Sequence, residues 1–198
     1  MAGKSHANNS PARSEIELAE LGAILHQAGL MRPRGDELPQ LHRLAARLFG
    51  DGIAILNEVN KIDAHTGNSV WVYRENGAVT GINSMLPLSP WGHELLLIGN
   101  LDPQSAALDC LTAPGETCAA IYCWGYGGTT PRARAAVVRA SMRLREGLFA
   151  PVPVYARAAT PDGRRTMERM GYVDVPDALP DLMVSAPRVS STPELLAA

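Results

Sequence analysis

The chain has 198 residues, 46% of them apolar and 19% charged, with a net charge of −2. That supplies apolar surface for one core of ordinary domain size, is too weakly charged for a disordered chain, and excludes a molecule that is basic throughout and binds nucleic acid. Apolar stretches such as 119–124 fall far short of the ~20 residues that span a bilayer, and the first fifteen residues hold no apolar signal segment, so a cytoplasmic protein with neither membrane nor nucleic-acid partners is expected.

In chain order, residues 1–13 are small and polar and read as a flexible tail. Ser14 and Glu17 have the spacing of a capping box, and Leu18, Leu21, Leu25 and Ala28 recur on one helical face up to Gly29. A second helix carries Leu41, Leu44, Ala45 and Leu48 and stops at Gly50; a third is expected over 53–59. Residues 69–75 and 78–85 alternate as strands around Asn76 and Gly77, the dipeptide that suits a type I′ turn. Two continuous apolar runs, 94–99 and 118–124, are expected to be central strands covered on both faces. Thr130 followed by Pro131 opens a helix with a buried stripe through Ala133, Ala136, Val137, Ala140, Leu144 and Leu148, its other face filled by Arg132, Arg134, Arg139, Arg143 and Arg145. A strand over 153–157 and a helix from Thr160 to Gly171 follow, with further strands over 172–175 and 182–185 and a tail over 186–198. Residues 14–185 therefore form a single domain, a mixed α/β sheet with helices on both faces.

Charge is distributed unevenly. Between residues 132 and 169 stand nine Arg and three acids, Glu146, Asp162 and Glu168. Such a segment fits either a locally bound anion or a solvated helix face. Sixteen Arg against two Lys is the usage expected of a GC-rich bacterial genome. Cys110, Cys118 and Cys123 form no CxxC pair and the five His are scattered, so reduced thiols and no metal are expected.

The informative stretch is 118–172. A buried strand runs through Trp124 and Gly125 into Tyr126, Gly127, Gly128, Thr129 and Thr130, and a helix opens at Pro131. Bare backbone amides at a helix N-terminus favour an anion such as a pyrophosphate. Neither a Walker loop nor GxGxxG is present. Residues 156–172, ending Glu168, Arg169, Met170, Gly171 and Tyr172, resemble the late E[KR]-φ-G-[FY] motif of the GCN5-related N-acetyltransferases (GNAT). The strand, loop and helix over 121–140 fall where that family keeps its pyrophosphate loop, and the Asn76 hairpin where its second and third strands meet. The resemblance covers roughly residues 38–185. Two features depart from the family: the loop is not its Gly-rich consensus, and Met167 stands where a tyrosine acid is common.

The resemblance implies a GNAT-like, mostly antiparallel twisted sheet. It also implies transfer of an acyl group, expected to be acetyl, from acyl-CoA to an amine on a small molecule or peptide. The implied cofactor contacts are Tyr122, Cys123, Trp124, Gly127, Gly128, Thr129, Thr130, Arg132, Ala133 and Arg134. Catalytic candidates are Tyr122, Tyr126 and His93, the last on a loop entering the strand 94–99, with Ser84 and Glu94 as further polar groups facing the acceptor. A longer acyl chain and an idle domain that only binds CoA or a partner remain alternatives, and the sequence leaves a homodimer open.

Overall fold

The computed structural model describes residues 15–50, 52–176 and 178–188; Ser14, the N-terminal tail and residues 189–198 lie outside them. The elements run β1 (Ile16–Glu17), α1 (Leu21–Gln27), β2 (Leu30–Met31), α2 (Leu38–Phe49), α3 (Leu56–Thr66), β3 (Val70–Glu75), β4 (Ala78–Leu88), α4 (Pro90–Leu97), β5 (Thr117–Cys118), β6 (Ala120–Gly128), α5 (Pro131–Glu146), β7 (Val154–Arg157), α6 (Pro161–Arg169), β8 (Val173–Asp174) and β9 (Leu182–Ser185). Seven strands form one sheet in the order β2-β3-β4-β6-β7-β9-β8, while β1 and β5 pair apart from it. Every neighbouring pair in the large sheet is antiparallel except β6 with β7. This is the mixed, mostly antiparallel sheet expected from the sequence. Among the described residues no helix is long and apolar enough to cross a membrane.

The two faces carry different helices. Leu21 and Leu25 of α1, Val137, Ala140 and Leu144 of α5 and Met167 of α6 pack on Met85, Ile121 and Ala156. On the opposite face, Leu41 and Leu44 of α2 and Val59 of α3 pack on Val72 and Ile82. Beside them Leu96 of α4 meets Leu86, Leu88 and Tyr155. Burial of each such side chain contributes ~1.5–3 kcal/mol, so both layers hold the sheet in place. The β3–β4 hairpin turns as its dipeptide predicts, with φ of 50° at Asn76 and 80° at Gly77.

Four expectations need correction. The helix expected from Ser14 starts only at Leu21, because Ile16 and Glu17 pair with Cys118 and Thr117. The third helix lies later than 53–59, at Leu56–Thr66, and ends on Gly67 in the left-handed region. The run 94–99 is no central strand; it belongs to α4, capped by Ser89, whose hydroxyl accepts the Gly92 amide at 3.1 Å. A short apolar run reads the same as strand or buried helix, and the cap with Pro90 behind it is what decides. The 100–117 connection therefore joins a helix to β5. Finally, Arg145 is not on a solvated face. It is buried, donating to the Ser185 hydroxyl, the Phe149 carbonyl and the Ala186 carbonyl, and so pins α5 to the end of β9.

One buried charge fixes α2, which roofs part of the cleft described below. The Glu37 carboxylate, just ahead of α2, accepts from Arg74 Nε at 2.7 Å and from Arg34 Nη2 at 3.0 Å. The Arg74 hydrogen bond, outweighing desolvation, holds the Glu37 carboxyl down to about 2. A carboxyl lowered on folding stabilises the fold above its unfolded value of ~4.3 and loses that contribution as pH falls from there to the folded value. Glu37→Gln is expected to cost on the order of 2–3 kcal/mol at neutral pH and to flatten the acid limb between about pH 4 and 2. Urea denaturation across pH measures it; an unchanged acid limb would contradict this account.

Candidate active site

β6 and β7 pair only from Ile121 to Cys123, opposite Val154 to Ala156. Beyond Cys123, β6 continues along β4 while β7 ends at Arg157 and the chain turns into α6. The register against β4 jumps between Ser84 and Met85, which face Gly125 and Cys123, so Trp124 is a bulged residue at the point of divergence. The gap opens a cavity of about 1020 Å³ that crosses the sheet. Val137, Thr160, Gly163 and Met167 line it on the α5–α6 side, and Leu41, His42, Phe49 and Leu101 on the other. Arg134 also lines it.

The turn into α5 is built by close packing. A Cβ on Gly128 would come within 2.7 Å of the Ala133 Cβ and of the Arg134 backbone nitrogen, and one on Gly125 within 2.8 Å of the Phe49 ring. Thr130 caps α5 by accepting the Ala133 amide at 3.0 Å, and its hydroxyl donates to the Glu75 carboxylate at 2.8 Å. The amides of this turn are largely committed. Thr129 donates to the Thr80 carbonyl at 2.8 Å, Arg134 to the Thr130 carbonyl at 3.0 Å, and Pro131 has none. Of the expected cofactor residues, Tyr122, Cys123, Trp124, Gly127, Gly128 and Arg134 line the cleft; Thr129, Thr130, Arg132 and Ala133 do not. Arg132 is exposed and Ala133 is buried under Gly81 and Gly128.

The catalytic candidates separate. Along β6 Tyr122 and Trp124 pack with the α2–α4 face, Cys123 and Tyr126 with the α5 face. Both tyrosines line the cleft and burial pushes each phenol up to about 12. The Tyr122 hydroxyl makes no hydrogen bond to a described protein group, and Arg157 and Asp102 lie close enough to act on it electrostatically. Burial also raises the Cys123 thiol to about 12, against a hydrogen bond with Tyr172. A thiol so protonated is a core side chain, not a nucleophile. His93 is on α4 rather than on a loop, 2.8 Å from the Tyr155 hydroxyl, and does not line the cleft; neither does its neighbour Glu94. Ser84 lines it and donates to the Gly125 carbonyl at 3.0 Å.

Sequence reasoning missed His42, Asp102, Gln104 and Arg157, all of which line the cleft. His42 follows Leu41 and flanks the apolar stripe of α2. Its Nε2 is 3.1 Å from the Ala54 carbonyl; a carbonyl only accepts, so Nε2 is the donor in this contact. Among the described residues no group of three or more His, Cys, Asp or Glu is placed to hold a metal ion.

No protein-family profile and no curated protein matches the chain. Similar solved structures include GphF, a GNAT-like decarboxylase in complex with isobutyryl-CoA. It is 18% identical over 70% of this chain and 71% of that one, with a TM-score of 0.49. A second is described as histone acetyltransferase HPA2 and related acetyltransferase from Corynebacterium glutamicum, 13% identical over 82% and 97% of the two chains at 0.48. A third is an N-acetyltransferase from Staphylococcus aureus, 13% identical over 79% and 99% at 0.48. The class itself is defined by the chain's own topology: a mostly antiparallel sheet whose one parallel pair, β6 with β7, opens onto a cleft, a GNAT-type fold.

The Gly128 contact is testable. Gly128→Ala must displace backbone rather than a flexible side chain, and is expected to destabilise by about 1–3 kcal/mol. Gly115→Ala lies at a site with positive φ and open space, so its cost is strain alone, about 1 kcal/mol. Chemical denaturation of the two variants compares them; a Gly128→Ala protein as stable as the parent would show that the α5 turn is not closely packed.

Proposed function

We propose that the protein transfers an acyl group, with acetyl the expected one, from acyl-CoA to an amine by direct attack. The observation that carries this reading is the cleft through the sheet where β6 leaves β7: it lets a thioester enter from the α5–α6 face and meet an acceptor on the α2–α3 face. Arg134 is the cation that receives the phosphates, since Arg132 lies off the cleft. Backbone groups of the bulge at Trp124, released from β7, are the donors for the thioester oxygen.

The chemistry assigns two side chains. The amine nitrogen forms its bond to the thioester carbon, the C–S bond breaks, and the ammonium proton passes to His42 Nδ1. Tyr122 takes the place of the tyrosine that Met167 displaces, with a particular limit. A thiol titrates near ~8.5, well below the Tyr122 phenol at about 12. Tyr122 therefore stabilises the departing thiolate by donating a hydrogen bond, and water supplies the proton.

The test is release of CoA thiol from acetyl-CoA and from longer acyl-CoAs in the presence of amines. Tyr122→Phe and His42→Asn are each expected to lower kcat by about 10²-fold or more, the scale of a positioned proton-transfer or donor group, with CoA affinity unchanged. Arg134→Ala should weaken CoA binding by about 1–2 kcal/mol and Arg132→Ala should be silent. Amine-independent thiol release, or no CoA binding by calorimetry, would overturn the proposal.

A further inference from the structure

We infer that the acceptor is an apolar α-amino acid, its carboxylate bound by Arg157; the inference rests on the acyl-transfer reading and names the substrate class of that site. Arg157 is the last residue of β7 and lines the cleft. Its neighbour Ala156 packs with the α5 face, and alternation along the strand puts Arg157 on the opposite face, with Tyr122 and Trp124. Arg157 acts electrostatically on the Tyr122 phenol, and both residues line the same cleft. The phosphate cation Arg134 belongs to the α5 side, so Arg157 stands across the sheet from it.

The guanidinium is oriented and unneutralised. Nε donates to the Pro180 carbonyl at 2.8 Å, which fixes the plane of the group, and Arg157 makes no ion pair with any described residue. Arg164 of α6, by contrast, takes Asp174 at 2.6 Å. A planar fork with free Nη groups is the geometry that grips a carboxylate through two parallel bonds.

The rest of the chamber fits what a carboxylate and an attacking amine leave over. Its wall is apolar: Leu41, Ala45, Phe49, Val59, Ile82 and Trp124 line it. Asp102 lines it too, its oxygens taken up by the Gln104 amide at 2.9 Å and the Ser105 hydroxyl at 2.6 Å. A zwitterion therefore lies with its ammonium toward Asp102 and His42, its carboxylate on Arg157 and its side chain against the apolar wall. A polyamine would meet an unpaired cation, and a simple alkylamine would leave that cation unmatched.

The experiment compares leucine with leucinamide, which differ only in the carboxylate, as acceptors from acetyl-CoA. Leucine is expected to have a kcat/KM at least about tenfold higher, the effect of one charge-assisted contact. Arg157→Gln should remove the difference while leaving CoA affinity unchanged. Equal turnover of the two by the parent protein overturns the inference, as does an Arg157→Gln protein that loses CoA and keeps its preference for leucine. Calorimetry of N-acetyl-leucine against N-acetyl-leucinamide, with CoA present, separates the site from the chemistry. Binding that needs both the carboxylate and Arg157, without turnover, leaves the carboxylate site standing and fails the transferase reading. Absence of turnover and of that binding together overturns the inference.

Discussion

The structure depends on one mismatch: β6 outruns β7. The strand needs its full length to pair with β4, yet its pairing with β7 on the other side covers only three residues. A sheet that loses a partner exposes backbone donors and acceptors, and here that loss falls in the middle of the molecule instead of at an edge. The bulge at Trp124 comes at the same level, so the backbone is re-aimed where it becomes unpaired. What β7 gives up to reach α6 is what makes the cleft, and the buried layers on both faces keep the opening from closing.

Keeping it open requires close contacts elsewhere. Gly125 lets Phe49 of α2 lie against the strand, and Gly128 lets the first turn of α5 do the same from the other face. These two glycines serve approach, not turning. α2 is held in turn by the buried Glu37 pair with Arg74 on β3, and α5 by Arg145 on the end of β9. α2 and α5 are thus each anchored by a charge away from the cleft, while Arg134 and Arg157, which line it, form no ion pair with a described residue.

The sequence made the framework readable where a local device decides it. Thr130 with Pro131 and Thr160 with Pro161 predicted two helix starts, and both hydroxyls cap as expected. Ser89 with Pro90 is the same device, and reading 94–99 by its apolarity instead of by that cap produced a strand where α4 lies. The N-terminal pattern failed differently: pairing of Ile16 with Cys118 is long-range, and no local spacing announces it. Of the site, the residues on β6 were legible because strand and glycines adjoin. His42 and Arg157 were not, because one only flanks an apolar stripe and the other stands among many arginines. Only the topology separates Arg157 from them, by setting it at the end of a strand on the far face.

That separation gives the charge distribution its meaning. A basic segment read along the chain suggests one anion, but the sheet divides it. Arg134 faces the α5 side of the cleft, Arg157 the α2 side, Arg145 is buried in the core, and Arg164 and Arg165 are matched by Asp174 and Asp162. Neither Arg134 nor Arg157 forms an ion pair with a described residue, and on the proposed reading each would meet an anion, with a neutral, reactive link between the two. On the proposed reading Tyr122 lies at that link, its phenol pushed up to about 12 by burial and its hydroxyl without a hydrogen bond to a described residue. A phenol so placed would gain most from a negative charge that appears only during reaction, because a hydrogen bond to a departing thiolate is made in the transition state and not in the ground state.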